Sequence, residues 1–127
     1  MNVWSPEIEC ADRESLRSLQ SERLRRTVRR CYENVPHYRR AFDAMGLLPG
    51  DIRTLEDLPH IPFTVKDDLR DNYPCGLFAA PLSDVVRIHA SSGTTGKCIV
   101  VGYTRADLDV WAESMARTFS AGGVGIE

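Results

Sequence analysis

A run of small, hydroxyl-bearing and cationic residues, SSGTTGK, lies between two apolar segments of the sequence. Its glycines permit positive φ angles, so consecutive backbone N–H groups can converge on one point and form a nest for an anion. The hydroxyls add further donors, and the lysine adds a point charge suited to phosphate. We therefore predict a polyphosphate site made by Ser91, Ser92, Gly93, Thr94, Thr95, Gly96 and Lys97.

The spacing within this run excludes two common nucleotide motifs. A Walker-type loop needs four residues between its glycines, followed by a Lys-Ser/Thr pair that opens a helix. Here two residues separate Gly93 from Gly96, and an apolar, strand-prone segment follows Lys97. The dinucleotide-binding fingerprint also requires a helix after the turn. The run predicts a strand–loop–strand phosphate grip, with a flexible hairpin connection as the alternative.

The flanking elements must position this loop. The β-prone run VVRIHA predicts a strand before it, and the run CIVV at 98–101 predicts one after it. A threonine three residues before an aspartate, Thr104 and Asp107, predicts the capped start of a helix that Gly122 and Gly123 end. Apolar residues at helical spacing predict its core-facing stripe: Leu108, Trp111, Ala112, Met115 and Phe119.

The first two thirds of the chain read as mainly helical. Residues 12–34 predict a helix capped by Asp12 and stopped by Pro36, with Leu16, Leu19, Leu24, Val28, Cys31 and Val35 as its apolar stripe. Its arginine-rich segment, RLRRTVRR, has no interleaved aromatic residues, which favours a solvated helix face over a nucleic-acid surface. A short helix at 38–46 and a proline-rich connector follow. Thr64 and Asp67 then predict another capping box, opening a helix that ends before Pro74.

Composition narrows the class of protein. The 127 residues suit one domain, and a net charge of −2 argues against a domain built mainly to hold nucleic acid. The four cysteines form no C-x-x-C pair, so reduced thiols in the cytosol are the simplest interpretation. No signal peptide and no apolar run of about 18 residues is present, which predicts a cytoplasmic protein without membrane contact. We interpret His37, His60 and His89 as structural histidines.

The loop and its surroundings resemble a known family. SSGTTGK followed by an apolar strand and GYT resembles the phosphate-binding loop of the adenylate-forming enzymes, and within them the phenylacetate–coenzyme A ligase family. The segments WSPEIE, YENVPHYR, DLPHIPFTVKDDLRDNYPCGLFAAPLSDVVRIHASSGTTGK and YTRADLDVWAESMAR are similar to the start of that family. The resemblance implies an incomplete α/β fold, with a mainly helical lead-in at 1–84 and a strand–phosphate loop–strand–helix unit at 85–127.

The resemblance also implies a reaction in two steps. A carboxylate attacks the α-phosphorus of ATP to give an acyl adenylate and pyrophosphate, and the coenzyme A thiol then displaces AMP. The seven loop residues, 91–97, are implied to hold the β- and γ-phosphates, with Mg²⁺ sharing their charge. The implied partners of the full-length enzyme are an aryl carboxylic acid, ATP and coenzyme A, in a homodimer. Cys98 stands where the family usually has proline, and we interpret it as a small apolar replacement.

Family members are several-fold longer than this chain. The segments expected to bind adenine and ribose, to form the acyl pocket and to supply the adenylation lysine would lie beyond Glu127. We therefore expect an N-terminal fragment, either an isolated piece or a truncated reading frame, that forms no thioester unaided. The alternatives are a ligase for another aryl-acetate, such as indoleacetate, and a non-catalytic helical interaction module.

Overall fold

Helices dominate the structure, a computed structural model that describes residues 3–92 and 98–125. Two short antiparallel strands form its sheet in that part of the chain. The elements in chain order are α1 (Pro6–Glu9), α2 (Arg13–Asn34), α3 (Pro36–Ala44), α4 (Lys66–Asp71), β1 (Val85–Ala90), β2 (Val100–Thr104) and α5 (Arg105–Ala121). Short 3₁₀ turns at Pro49–Asp51 and Leu55–His60 occupy the proline-rich connector, and a third lies at Leu82–Asp84.

The predicted first long helix is confirmed as α2. Asp12 caps it, because its Oδ1 accepts a hydrogen bond of 2.8 Å from the backbone N–H of Ser15. Pro36 ends α2 and occupies the first turn of α3, where its missing N–H is not needed. The arginines of RLRRTVRR are all exposed, as a solvated face requires.

The core lies where α2, α3 and the connector meet. Val28, Phe42 and Ile52 are buried there, and Ile52 is only 1% exposed. The Tyr32 ring packs edge-on against Phe42 with centroids 6.1 Å apart. Leu24, Leu47 and Ile61 complete the cluster. The connector is therefore fixed by apolar contact with the helices.

The predicted capping box at Thr64 is wrong by one residue. Helix α4 begins at Lys66 with Val65 in the cap position, and Asp68 Oδ2 accepts from the Val65 backbone N–H at 2.8 Å. Thr64 instead donates its hydroxyl to Tyr38 Oη at 3.2 Å. Asp67 pairs with Arg70 one turn later, at 2.9 Å. The Thr64 hydroxyl therefore bonds to a residue distant in sequence and does not cap the helix.

Strand β1 has the predicted bounds, whereas β2 begins at Val100 and ends at Thr104, later than the predicted 98–101. The strands pair with Ile88 opposite Gly102 and Ala90 opposite Val100. The register shifts between Val85 and Arg87, so one extra residue bulges from β1 at its start.

The two-stranded sheet is supported on both faces, as a hairpin alone would be marginal in water. On one face Gly102 lies against the Phe78 ring, from the loop after α4. On the other face the Tyr103 ring stacks on Trp111 of α5, with centroids 5.4 Å apart. Neighbouring strand residues point to opposite faces, so adjacent positions in β2 serve the two contacts.

Helix α5 starts at the predicted cap and ends at the predicted glycines, where Gly123 has φ +90°. Its predicted core stripe is wrong: Trp111, Met115 and Phe119 are 40%, 39% and 54% exposed. Described residues that contact α5 include those of β2 and Trp4, whose Nε1 donates to Glu113 Oε2 at 2.9 Å. None of the described helices is long and apolar enough to cross a membrane.

Candidate phosphate-binding hairpin

The predicted site is the connection between β1 and β2. Ser91 and Ser92 follow β1 directly, and both are exposed. The other five predicted residues, Gly93, Thr94, Thr95, Gly96 and Lys97, lie outside the described residues. The structure therefore describes the base of the loop, formed by Ser91 and Ser92 on one side and by Cys98 and Ile99 on the other.

Two hydrogen bonds join the two sides of this base. The Ser91 backbone N–H donates to the Ile99 carbonyl at 3.0 Å. The Ile99 backbone N–H donates to the Ser91 hydroxyl oxygen, Oγ, at 2.9 Å. Ser91 and Ile99 are the next pair after Ala90 and Val100 in the strand register. The hairpin is therefore closed one pair beyond the last residues of its strands.

The Ser91 hydroxyl keeps a proton to donate, because it accepts from Ile99 through an oxygen lone pair. An exposed O–H of this kind can donate to a phosphate oxygen. The geometry at Ser91 is thus compatible with both a structural and a ligand-binding role. Ser92 is exposed next to it and adds a second hydroxyl on the same side of the loop.

A reciprocal cap fixes the far end of β2. The Thr104 backbone N–H and hydroxyl both donate to Asp107 Oδ2 at 2.8 Å, and the Asp107 N–H donates to Thr104 Oγ1 at 3.3 Å. The bond from the Thr104 backbone, followed by the one from its hydroxyl, holds the pKa of Asp107 below its ordinary value. Strand β2 therefore passes directly into α5, with no residue between the two elements.

Three aromatic rings meet beside the hairpin, a cluster that the sequence analysis missed. His89 packs edge-on against Tyr103 at 5.0 Å and against Trp111 at 5.6 Å between centroids. These contacts are compatible with the interpretation of His89, two residues before Ser91, as a structural histidine. Only the alternation along β1 and β2 and the helical spacing of Trp111 hint at the cluster, because the strand register decides which rings meet.

A cavity of about 400 Å³ lies behind β2 and was also missed. Most of its lining is apolar, including Leu77, Phe78 and Val100. Polar residues from distant parts of the sequence also line it: Arg30, Tyr38, Asn72, Tyr103, Thr104 and Asp107. Ser91 and Ser92 do not line it. The cavity is therefore separate from the described base of the loop, although strand β2 borders both.

Metal ligands are scarce around these features. In residues 3–92 and 98–125, no group of three or more His, Cys, Asp or Glu side chains could hold a metal ion. All four cysteines are free thiols, and Cys98 lies half-buried at the base of the loop.

Sequence comparison finds close relatives of one kind. Phenylacetate-coenzyme A ligase from Aromatoleum evansii is 60% identical over 116 residues, which make up 91% of the chain and 26% of that ligase. The protein of the same name from Thermus thermophilus is 59% identical over 121 residues, 95% of the chain and 27% of the ligase. The chain is a relative of the phenylacetate-coenzyme A ligases. The resemblance in the sequence is confirmed, and the chain spans about a quarter of the length of these relatives. No protein-family model matches it.

Solved structures agree on the fold. A crystal structure of 2-hydroxyisobutyryl-CoA ligase in the postadenylation state with 2-HIB-AMP has a TM-score of 0.84 at 27% identity, covering 96% of the chain and 26% of that structure. The same ligase with 2-HIB-AMP and CoA in the thioesterification state gives 0.81 at 30% identity, covering 91% and 25%. The predicted fold class, an incomplete α/β fold of the adenylate-forming enzymes, is therefore confirmed. The chain matches about a quarter of this CoA ligase.

Proposed function

We propose that this chain is the N-terminal part of an AMP-forming acid–thiol ligase and that its hairpin loop holds the β- and γ-phosphates of ATP. The enzyme joins phenylacetate to coenzyme A. The observation that carries this proposal is the identity of 59–60% with two phenylacetate-coenzyme A ligases over more than nine tenths of the chain. The closed base of the loop, from Ser91 to Ile99, supports the assignment of the site.

In the proposed reaction the hairpin loop positions the phosphates and stabilises their charge. The phenylacetate carboxylate attacks the α-phosphorus, and the bond to the bridging oxygen breaks as pyrophosphate leaves. The coenzyme A thiol then attacks the acyl carbon of the adenylate and releases AMP. A loop that fixes the leaving pyrophosphate keeps the α-phosphorus in line with the incoming carboxylate, and its donors stabilise the charge that grows on the leaving group.

The partners of the proposed enzyme are ATP, coenzyme A and an aryl carboxylic acid. Support comes from the neighbouring 2-hydroxyisobutyryl-CoA ligase, which was crystallised with 2-HIB-AMP and CoA. Mg²⁺ enters as the companion of the ATP phosphates, which it binds through phosphate oxygens and water. The described residues do not fit a protein-ligated metal, so we assign no step to it. A cytoplasmic homodimer completes the proposal for the full-length enzyme.

Phenylacetate is the proposed acid because the relatives carry that name. Indoleacetate and other aryl-acetates are the alternatives within the same chemistry. A different class, a helical interaction module without catalysis, is favoured by one observation: the exposed apolar side chains Trp111, Met115 and Phe119 on α5.

A chimera tests the proposal directly. The chain replaces the matching residues of the Thermus thermophilus relative, with which it aligns over 121 residues. We expect the chimera to release AMP from ATP only when phenylacetate and coenzyme A are present. Thr94→Ala and Lys97→Ala in the chimera should each lower that rate by about a hundred-fold or more, the usual cost of removing one preorganised donor to a developing charge.

Thr27→Ala is the matched control, since Thr27 is an exposed threonine on α2 far along the sequence from the loop. It should leave the rate unchanged. A chimera that is folded by circular dichroism but releases no AMP with any aryl-acetate would contradict the ligase proposal. Activity with indoleacetate and none with phenylacetate would contradict the choice of acid alone.

A further inference from the structure

The pairing of Ser91 with Ile99 departs from a regular sheet. In a hydrogen-bonded antiparallel pair, the two residues exchange two backbone N–H···O=C bonds. Here the first bond is regular, from the Ser91 N–H to the Ile99 carbonyl at 3.0 Å. The second is not, because the Ile99 N–H donates to the Ser91 side-chain oxygen at 2.9 Å. The hydroxyl takes the place of the Ser91 main-chain carbonyl.

This substitution has two consequences for the backbone. The Ser91 carbonyl need not point at the opposite strand, so the chain can leave the strand direction at this residue. The separation of the two sides nevertheless stays fixed, since both bonds join residue 91 to residue 99. The two residues that flank the intervening segment are therefore already together. Closing the ends beforehand removes part of the ordering cost that a bound anion would otherwise have to offset.

We propose that Ser91 is a positioning residue: its hydroxyl closes the base of the loop through the Ile99 main chain, and this closure strengthens phosphate binding. This inference rests on the proposed phosphate role of the loop. Under this proposal the predicted loop residues 91–97 differ in role. Ser91 closes the loop base, whereas other residues would donate hydrogen bonds to the anion.

Amide hydrogen exchange in the chain itself tests the positioning role. The Ile99 N–H is the probe, since it donates to the Ser91 hydroxyl. We expect Ser91→Ala to raise its exchange rate by about five-fold, the factor that corresponds to a hydrogen bond of ordinary net strength. Ser91→Thr keeps a hydroxyl at the same carbon and should restore slow exchange. Ser18→Ala, at an exposed serine on α2, is the control and should change nothing at Ile99.

Pyrophosphate binding supplies the second measurement, followed by amide chemical shifts in the same samples. We expect Ser91→Ala to raise the dissociation constant for pyrophosphate by about five-fold, in parallel with the Ile99 exchange rate. Ser91→Thr should restore both values. Weaker binding with unchanged Ile99 exchange would mean that Ser91 contacts phosphate directly, which overturns the inference. Faster Ile99 exchange with unchanged binding would overturn it too.

The two proposals fail in different ways. If pyrophosphate shifts no amide of the unaltered chain, the phosphate role of the loop is contradicted. The Ile99 exchange rate, measured without any ligand, still decides whether the Ser91 hydroxyl closes the loop. If Ser91→Ala leaves that rate unchanged, the closing role is wrong whatever the loop binds.

Discussion

Gly102 lies so close to Phe78 that a side chain at residue 102 would overlap the aromatic ring. A Cβ built on Gly102 would be 2.5 Å from Phe78 Cε2 and 2.8 Å from Cζ. Through this contact one face of β2 packs on the loop after α4, while the other face of β2 contacts α5. The packing of the hairpin that carries the proposed phosphate site therefore requires a glycine at residue 102 in its second strand.

We expect Gly102→Ala to lower the free energy of unfolding by about 1–3 kcal/mol, the usual cost of forcing extra atoms into a packed site. Urea denaturation followed by circular dichroism measures it. Phe78→Leu combined with Gly102→Ala should recover part of the loss, because the smaller side chain leaves room for the methyl group. Gly50→Ala is the control, as a Cβ at Gly50 meets nothing within 4 Å. Equal losses at both glycines would show that the Phe78 contact is not the cause.

Glu113 joins the N-terminal segment to α5, and this link should depend on pH. Its carboxylate accepts from the Ser5 hydroxyl, from Arg117 Nη2 at 2.8 Å and from Trp4 Nε1 at 2.9 Å. These bonds, with that of Ser5 the largest, favour the charged form and hold the pKa of Glu113 below its ordinary value of 4.5. The link is therefore fully formed above pH 4.5 and is lost as the pH falls through the lowered pKa.

Trp4 fluorescence reports this transition once Trp111→Phe has removed the only other tryptophan. We expect a change in Trp4 emission with a midpoint below pH 4.5. Glu113→Gln should give emission that does not change over that range, whereas Glu22→Gln, at an exposed glutamate of α2, should leave the transition intact. A midpoint above 4.5 would contradict the stated direction of the shift.

The Thr104–Asp107 cap should contribute to stability at the junction of β2 and α5. Thr104→Ala removes a side-chain oxygen that accepts from the Asp107 N–H and a hydroxyl that donates to its carboxylate. We expect a loss of about 1 kcal/mol in the free energy of unfolding, as is typical for an N-cap threonine. Thr104→Ser should retain most of it. Thr118→Ala is the control. It removes a hydroxyl that donates to the Ser114 carbonyl within α5, and the loss of stability should be smaller than for Thr104→Ala.

The exposed stripe of α5 should make the chain associate with itself. Trp111, Met115 and Phe119 are each at least 39% exposed and follow one another at four-residue intervals along one side of the helix. Contiguous apolar surface of this kind tends to be covered by another molecule. We expect the sedimentation coefficient to rise with protein concentration, and Phe119→Ser to reduce that rise.

Phe63→Ser is the matched control, because Phe63 is 94% exposed but lies outside α5. If it reduces association as much as Phe119→Ser does, the stripe is not the surface involved. A sedimentation coefficient that is independent of concentration would contradict the prediction altogether.

Short-range signals predicted much of this structure. The cap at Asp12, the break at Pro36 and the box formed by Thr104 and Asp107 were all predicted correctly, because each depends on residues within four positions of one another. The Thr64 box failed because its hydroxyl bonds to Tyr38, 26 positions earlier in the chain. No local rule distinguishes Thr64 from Thr104, as each precedes an aspartate by three residues.

The site divides in the same way. The sequence by itself determined the chemical character of the loop and its place between two strands, since glycine, hydroxyl and lysine spacing is a local property. Only the tertiary structure decided that the Ser91 hydroxyl bonds to Ile99, that His89, Tyr103 and Trp111 meet, and that the α5 stripe is exposed. Strand register and helix docking fix these contacts, and both depend on the packing energy of residues far apart in the chain.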